Sequence, residues 1–166
     1  RSQDRKVADR SGGDGSFGIP VETRLAAEDV PRFSEAAELD GGGSPEIIIL
    51  TDRGSLLVLA YLPGDIFAIR EAGVDPGAVG FAVGDVDLDG RLDACAAVHG
   101  DPSSALLLHP GLGGGSLGSG RPLGCFSLRP SAVQLADMDG DSFLDAVLSS
   151  VSAERGGLAV VRGGPG

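Results

Sequence analysis

The sequence predicts an all-β chain of three four-stranded units, arranged as blades of a β-propeller. Three observations carry that expectation. Short apolar runs rich in Val, Ile, Leu and Phe alternate with Gly, Pro and Asp turn signals, as strands do. No long segment keeps a capped helical period, and residues 35–39 are too few for a free-standing helix. A nine-residue acidic loop between two apolar runs starts at Glu38, Asp85 and Asp137, at intervals of 47 and 52 residues. A period of about 50 residues suits one four-stranded blade.

The elements follow in order. Residues 1–17 are polar, mixed in charge and Gly-containing, which predicts a flexible arm. Residues 19–25 read as a strand. The first unit supplies strands near 33–39, 45–51, 55–62 and 65–71. The second supplies 79–84, 92–98, 104–109 and 123–129. The third supplies 131–136, 144–151 and 157–162, and lacks a fourth strand. The strand at 19–25 stands before the first unit as 66–71 and 125–129 stand before the next two. Residues 18–166 therefore divide at about 18–64, 65–112 and 113–166, each piece opening with an outer strand borrowed by the preceding blade.

Three blades cannot close a ring, and an open blade leaves an unpaired edge. Either the chain is part of a longer propeller, or two copies join head to tail, with residues 19–25 of one completing the last blade of the other. The first residue is not Met and no signal peptide is visible, which reads as a processed product or an excised piece.

Charge and composition narrow the function. The net charge of −11 disfavours nucleic acid, whose phosphates it repels. The apolar runs are far shorter than a bilayer-spanning helix, so membrane insertion is not expected. The chain has no Asn, hence no N-glycosylation acceptor. Its two cysteines form no CxxC pattern, so a zinc or redox motif has no support.

The acidic loops carry the chemistry. Alternate carboxylates in a tight loop aim several oxygens at one centre, which suits a hard cation such as calcium, and Gly permits the sharp turn. In one loop the expected side-chain ligands are Asp85, Asp87, Asp89 and Asp93, with the Arg91 carbonyl. In the other they are Asp137, Asp139, Asp141 and Asp145, with the Phe143 carbonyl. Without a cation, four such carboxylates repel and raise one another's pKa. Two calcium ions are thus expected. The upstream copy keeps Glu38, Asp40 and Glu46 but has Gly42 at a ligand position, so it is expected to be weak or empty. Ser142 stands where the first Asp loop has Gly90 and would be strained if φ is positive there.

The pattern Asp-x-Asp-x-Asp-Gly-x-x-Asp between apolar strands resembles the FG-GAP/VCBS repeat, the family of the integrin-α propeller. The likeness covers about residues 18–166. It implies a propeller with calcium in the loops between the first two strands of a blade. It also implies an extracellular or cell-surface location and an adhesion-like or scaffold role towards a protein or glycan. An EF-hand is excluded because its twelfth loop position needs Glu, whereas Ala96 and Leu148 stand there. A thrombospondin type 3 array would continue with further Asp-rich loops, where this chain enters an apolar strand.

Weaker signals read as structure. Residues 114–118 match G-x-S-x-G, but no strand-to-helix turn surrounds Ser116, so a hairpin loop over 111–120 is expected. The G-x-G-x-x-G at 113–118 lacks a βαβ unit. His99 and His109 read as surface residues beside turns. Cys95 and Cys125 fall on the second and fourth strands of one blade, about 9.6 Å apart and beyond disulfide reach. Free thiols follow, although an extracellular setting would favour a bond. No nucleophile, acid and base converge, so the chain is not expected to be an enzyme. The alternatives are a non-catalytic propeller appendage or part of an extracellular hydrolase, and a purely structural subunit of a larger assembly.

Overall fold

The computed structural model describes residues 21–100, 103–151 and 156–165. The arm expected over 1–17 lies outside them. Among the described residues there is no helix, and all strands pair antiparallel.

The first sheet joins β1 (Pro31–Ala37), β2 (Glu46–Thr51), β3 (Ser55–Leu62) and β4 (Ile66–Val74) in chain order. The second contains β5 (Ala78–Gly84), β6 (Asp93–Val98), β7 (Ser104–His109) and β10 (Arg121–Phe126), also in sequential order across the sheet. Between β7 and β10 a small ribbon pairs β8 (Gly111–Gly113) with β9 (Ser116–Leu117). The third sheet has β11 (Pro130–Ala136), β12 (Asp145–Val151) and β13 (Gly156–Val161).

The pattern of residues explains how the sheets stack. Ile48, Leu50, Leu56 and Val58 point to one side of the first sheet and are buried against Phe81, Ala94 and Ala96 of the second. The alternate β6 residues Cys95 and Ala97, with Leu106 and Leu108, bury the other side against Val133, Ala146 and Leu148 of the third. The middle sheet is therefore covered on both faces. That is why β6 reads Ala-Cys-Ala-Ala without polar alternation, as a strand covered on both sides does. Small residues let the sheets approach. A Cβ on Gly80 would stand 3.4 Å from the Ala132 Cα.

Two expectations need correction. Val21 to Leu25 form no strand; residues 19 and 20 lie outside the described set. An extended segment becomes a strand only against an edge, and the edge assigned to this one belongs to a second copy or to the remainder of a longer propeller. The hairpin expected over 111–120 is present as the β8–β9 ribbon, but it is packed and not free. The ribbon turns back over the first two sheets and buries Leu117 in their shared core.

His109 also departs from the sequence reading, because it is 1 % exposed. Its Nε2 donates to Asp75 Oδ2 at 2.6 Å and its Nδ1 donates to the Gly118 carbonyl at 3.0 Å. Two acceptors require two N–H groups, so the ring is an imidazolium. Burial alone would lower its pKa, but the Asp75 hydrogen bond and charge, with the Gly118 carbonyl, outweigh burial and raise it above 6.5. The pair ties the link after β4 to the end of β7 and to the chain after β9. A raised imidazolium pKa contributes stability fully below 6.5, lost as pH rises through the folded-state value. Asp75→Asn should therefore destabilise the protein more at about pH 5.5 than at about pH 9, as read by urea unfolding. Equal losses at both pH values would mean the ring is neutral.

Candidate metal centres

Each sheet begins its second strand with a carboxylate that closes a nine-residue loop from the first strand. The three loops, 38–46, 85–93 and 137–145, share one backbone path. The fourth position has positive φ in all three (Gly41 76°, Leu88 59°, Gly140 82°), as does the sixth (Gly43 80°, Gly90 83°, Ser142 75°). A left-handed residue costs about 1–2 kcal/mol when it carries a Cβ, so Leu88 and Ser142 hold strain that the surrounding bonds overcome.

Those bonds come from the carboxylates. The first-position group gathers loop amides: Asp85 accepts from Asp89 N at 3.0 Å and Gly90 N at 3.0 Å. Asp137 accepts from Gly140 N at 2.7 Å, Asp141 N at 3.2 Å and Ser142 N at 2.9 Å. These amides, Ser142 N foremost, hold the Asp137 carboxyl below the usual range despite some desolvation.

The ninth-position group is buried, with Glu46 3 %, Asp93 1 % and Asp145 2 % exposed. One oxygen accepts from the second-position amide: Leu39 N at 2.8 Å, Val86 N at 2.9 Å and Met138 N at 2.9 Å. In two loops the other oxygen accepts from a glycine just beyond the third strand of the sheet, Gly111 N at 2.7 Å and Gly163 N at 2.8 Å. Only glycine fits there, because a Cβ would lie 2.4 Å from the Leu92 carbonyl oxygen or 2.5 Å from that of Leu144. Burial pushes the Asp93 carboxyl up, as do the charges of Asp87 and Asp89, while the Gly111 and Val86 amides oppose the shift.

The first, third and ninth positions converge. One oxygen each from Glu38, Asp40 and Glu46 lies within 4.8 Å of the others. The same holds for Asp85, Asp87 and Asp93, and for Asp137, Asp139 and Asp145. Ligands on a sphere of about 2.4 Å radius are at most about 4.8 Å apart, so each triplet matches the span of one hard cation.

The fifth-position Asp89 and Asp141 stand outside the triplets. Each accepts instead from the amide two residues on, Arg91 N at 2.9 Å and Phe143 N at 2.9 Å. The Arg91 guanidinium also lies 3.5 Å from Asp89 Oδ2. Arg91 and Phe143, the expected carbonyl ligands, thus brace the fifth-position carboxylates through their amides.

Two features were not read from the sequence. Arg162 donates to Asp139 Oδ2 at 2.7 Å, a largely exposed pair that places one positive charge beside the third triplet. Glu38 Oε1 is buried without a hydrogen-bond partner among the described residues. A lone buried carboxylate oxygen is costly, and a cation between Glu38, Asp40 and Glu46 would satisfy it. The donor sets are all oxygen, which fits a hard divalent ion and not a thiolate- or imidazole-seeking metal.

Among the described residues, the structure gives free thiols at buried Cys95 and exposed Cys125, on strands separated by β7. Burial, with the Asp93 charge, pushes the Cys95 thiol up to about 12, so it is an inert core group.

No family model matches this chain, and no curated protein matches it. The chemistry of the loops has to be read from their own geometry. The strain at Ser142 gives one direct check. Ser142→Gly should stabilise the protein by about 1 kcal/mol in urea unfolding, whereas a destabilised variant would show that the Ser142 backbone is relaxed.

Proposed function

We propose that this chain is a calcium-binding segment of an extracellular β-propeller, resembling FG-GAP/VCBS blades, that serves as a protein- or glycan-binding or scaffold module. The observation that carries the reading is the recurrence of one loop geometry. Three nine-residue loops each bring three carboxylates within 4.8 Å, and each is seated by a buried ninth-position acid.

Calcium is favoured over magnesium because the donors are several carboxylates gathered on one loop, whereas magnesium takes one or two carboxylates and keeps several waters. In the two aspartate loops the ligands are Asp85, Asp87 and Asp93, and Asp137, Asp139 and Asp145. Asp89 and Asp141 add charge and brace the loop. The Glu38, Asp40 and Glu46 loop joins them on the strength of the orphaned Glu38 oxygen. The ions have a structural role. They tie the first strand of a sheet to the second and neutralise acids that would otherwise repel.

Support for the propeller comes from the stacking. The first strands of successive sheets adjoin, β5 meeting both β1 and β11, as blade strands do around an axis. The third sheet offers the outer edge of β13 to a fourth strand, supplied by a second copy or by the remainder of a longer propeller.

Asp87→Ala removes an exposed carboxylate whose hydrogen bond among the described residues is a long one from the Asp89 amide, 3.3 Å. In calorimetric titration it should lower calcium affinity at its loop by roughly tenfold or more and reduce the calcium-dependent rise in Tm. Calcium binding unchanged in this variant would remove Asp87 from the site.

A further inference from the structure

The β8–β9 ribbon lies between two of the acidic loops and touches both. Its root rests on the loop 85–93. Gly111 N donates to Asp93 Oδ1 at 2.7 Å, while the other oxygen of Asp93 holds the Val86 amide at the start of that loop. A Cβ on Gly111 would lie 3.0 Å from the Arg91 Cβ, and one on Gly113 would lie 3.9 Å from the Arg91 Cδ. The turn of the ribbon lies against the loop 38–46. A Cβ on Gly115 would stand 3.7 Å from the Asp40 Cβ and 3.8 Å from Glu46 Oε1. Asp40 and Glu46 of the first triplet thus face a segment whose root is held by Asp93 of the second.

The ribbon does not fix its own path. It opens Gly-Leu-Gly-Gly-Gly, and Gly113, Gly114 and Gly115 all have positive φ. Glycine loses more conformational freedom on ordering than any other residue, so the path depends on its attachments. Arg70 on β4 holds the turn, with its guanidinium 3.2 Å from the Gly114 carbonyl and 3.5 Å from Ser116 Oγ. Leu117 is anchored in the core, and the His109 ring holds the Gly118 carbonyl. The root is held by Asp93, which is also a member of an acidic triplet.

We propose that the ribbon couples cation binding at the loops 38–46 and 85–93, so that an ion at either strengthens binding at the other. The coupling rests on the cation reading of both loops. An ion among Asp85, Asp87 and Asp93 fixes the Asp93 carboxylate and, through it, Gly111. The ribbon is then held in place, and Gly115 confines Asp40 and Glu46 before their own ion arrives. Order established by the first ion need not be supplied by the second, which makes the binding positively cooperative. Linkage makes the effect reciprocal. The first loop gains most from confinement. Its fifth position is Gly42, where the others have Asp89 and Asp141, so it holds one carboxylate fewer.

The test titrates the whole ¹⁵N-labelled chain with calcium chloride. The amides of Leu39 and Gly43 report the first loop, and those of Val86 and Gly90 the second. Asp87→Asn, at an exposed side chain, weakens the second loop. It should also lower calcium affinity at the first loop by roughly fivefold or more. Arg70→Ala, likewise at an exposed side chain, releases the turn of the ribbon. In that background the effect of Asp87→Asn on the first loop should shrink to less than about twofold. Calcium binding at both loops, with first-loop affinity unchanged by Asp87→Asn, would overturn the coupling and leave the cation reading standing. A loss at the first loop that persists in full beside Arg70→Ala would assign it to charge and overturn the ribbon's part. Calcium shifts at the second loop alone would overturn the coupling, and shifts at neither loop would remove the cation reading along with it.

Discussion

A buried carboxylate at the first residue of each second strand organises the structure. Glu46, Asp93 and Asp145 are nearly inaccessible to water, and a buried charge is tolerated only when its oxygens are satisfied. One oxygen takes the amide at the start of the acidic loop, which fixes the loop's span. In two of the three the other takes a glycine amide beyond the third strand, which fixes where the chain leaves the sheet. Loop and exit are thus set by the same side chain. Asp93 shows the cost, because burial pushes its carboxyl up against the pull of two amides.

That arrangement concentrates negative charge. Each ninth-position acid lies with two others, and Asp87 and Asp89 add to the field at Asp93. Backbone amides relieve part of the repulsion, most evidently at Asp137, whose carboxyl they hold low. At the third loop Arg162 lends a tethered cation. At the first loop no such relief reaches Glu38 Oε1 from the described residues. A divalent ion in each loop would answer all three situations with one kind of bond.

Much of this was legible in the residues. The acidic spacing located the loops, and the strands fell within a few residues of their expected places because turn signals bound each apolar run. Leu88 and Ser142 show the limit. Positive φ at the fourth and sixth positions is visible only where Gly marks it, and these two residues adopt it without that mark. His109 was misread because its partner Asp75 is 34 residues away, a distance that pattern reading does not span. Asp89 and Asp141 read as ligands by alternation, and the spacing does not reveal that one oxygen of each also accepts from the amide two residues on. The equivalence of Gly111 and Gly163 was there to be found, since each follows its aspartate by 18 residues.

Where the β8–β9 ribbon inserts Leu117, the gap between the first two sheets becomes core. The central claim, however, concerns the loops, and thermal unfolding of the chain in calcium and in chelator tests it most directly. Binding to the folded state alone stabilises it by about 2.7 kcal/mol per site at one hundred times Kd. The account predicts a saturable rise in Tm of roughly 5–10 °C for each occupied site. Superimposable melting curves with and without calcium would contradict it and reduce the three loops to acidic turns.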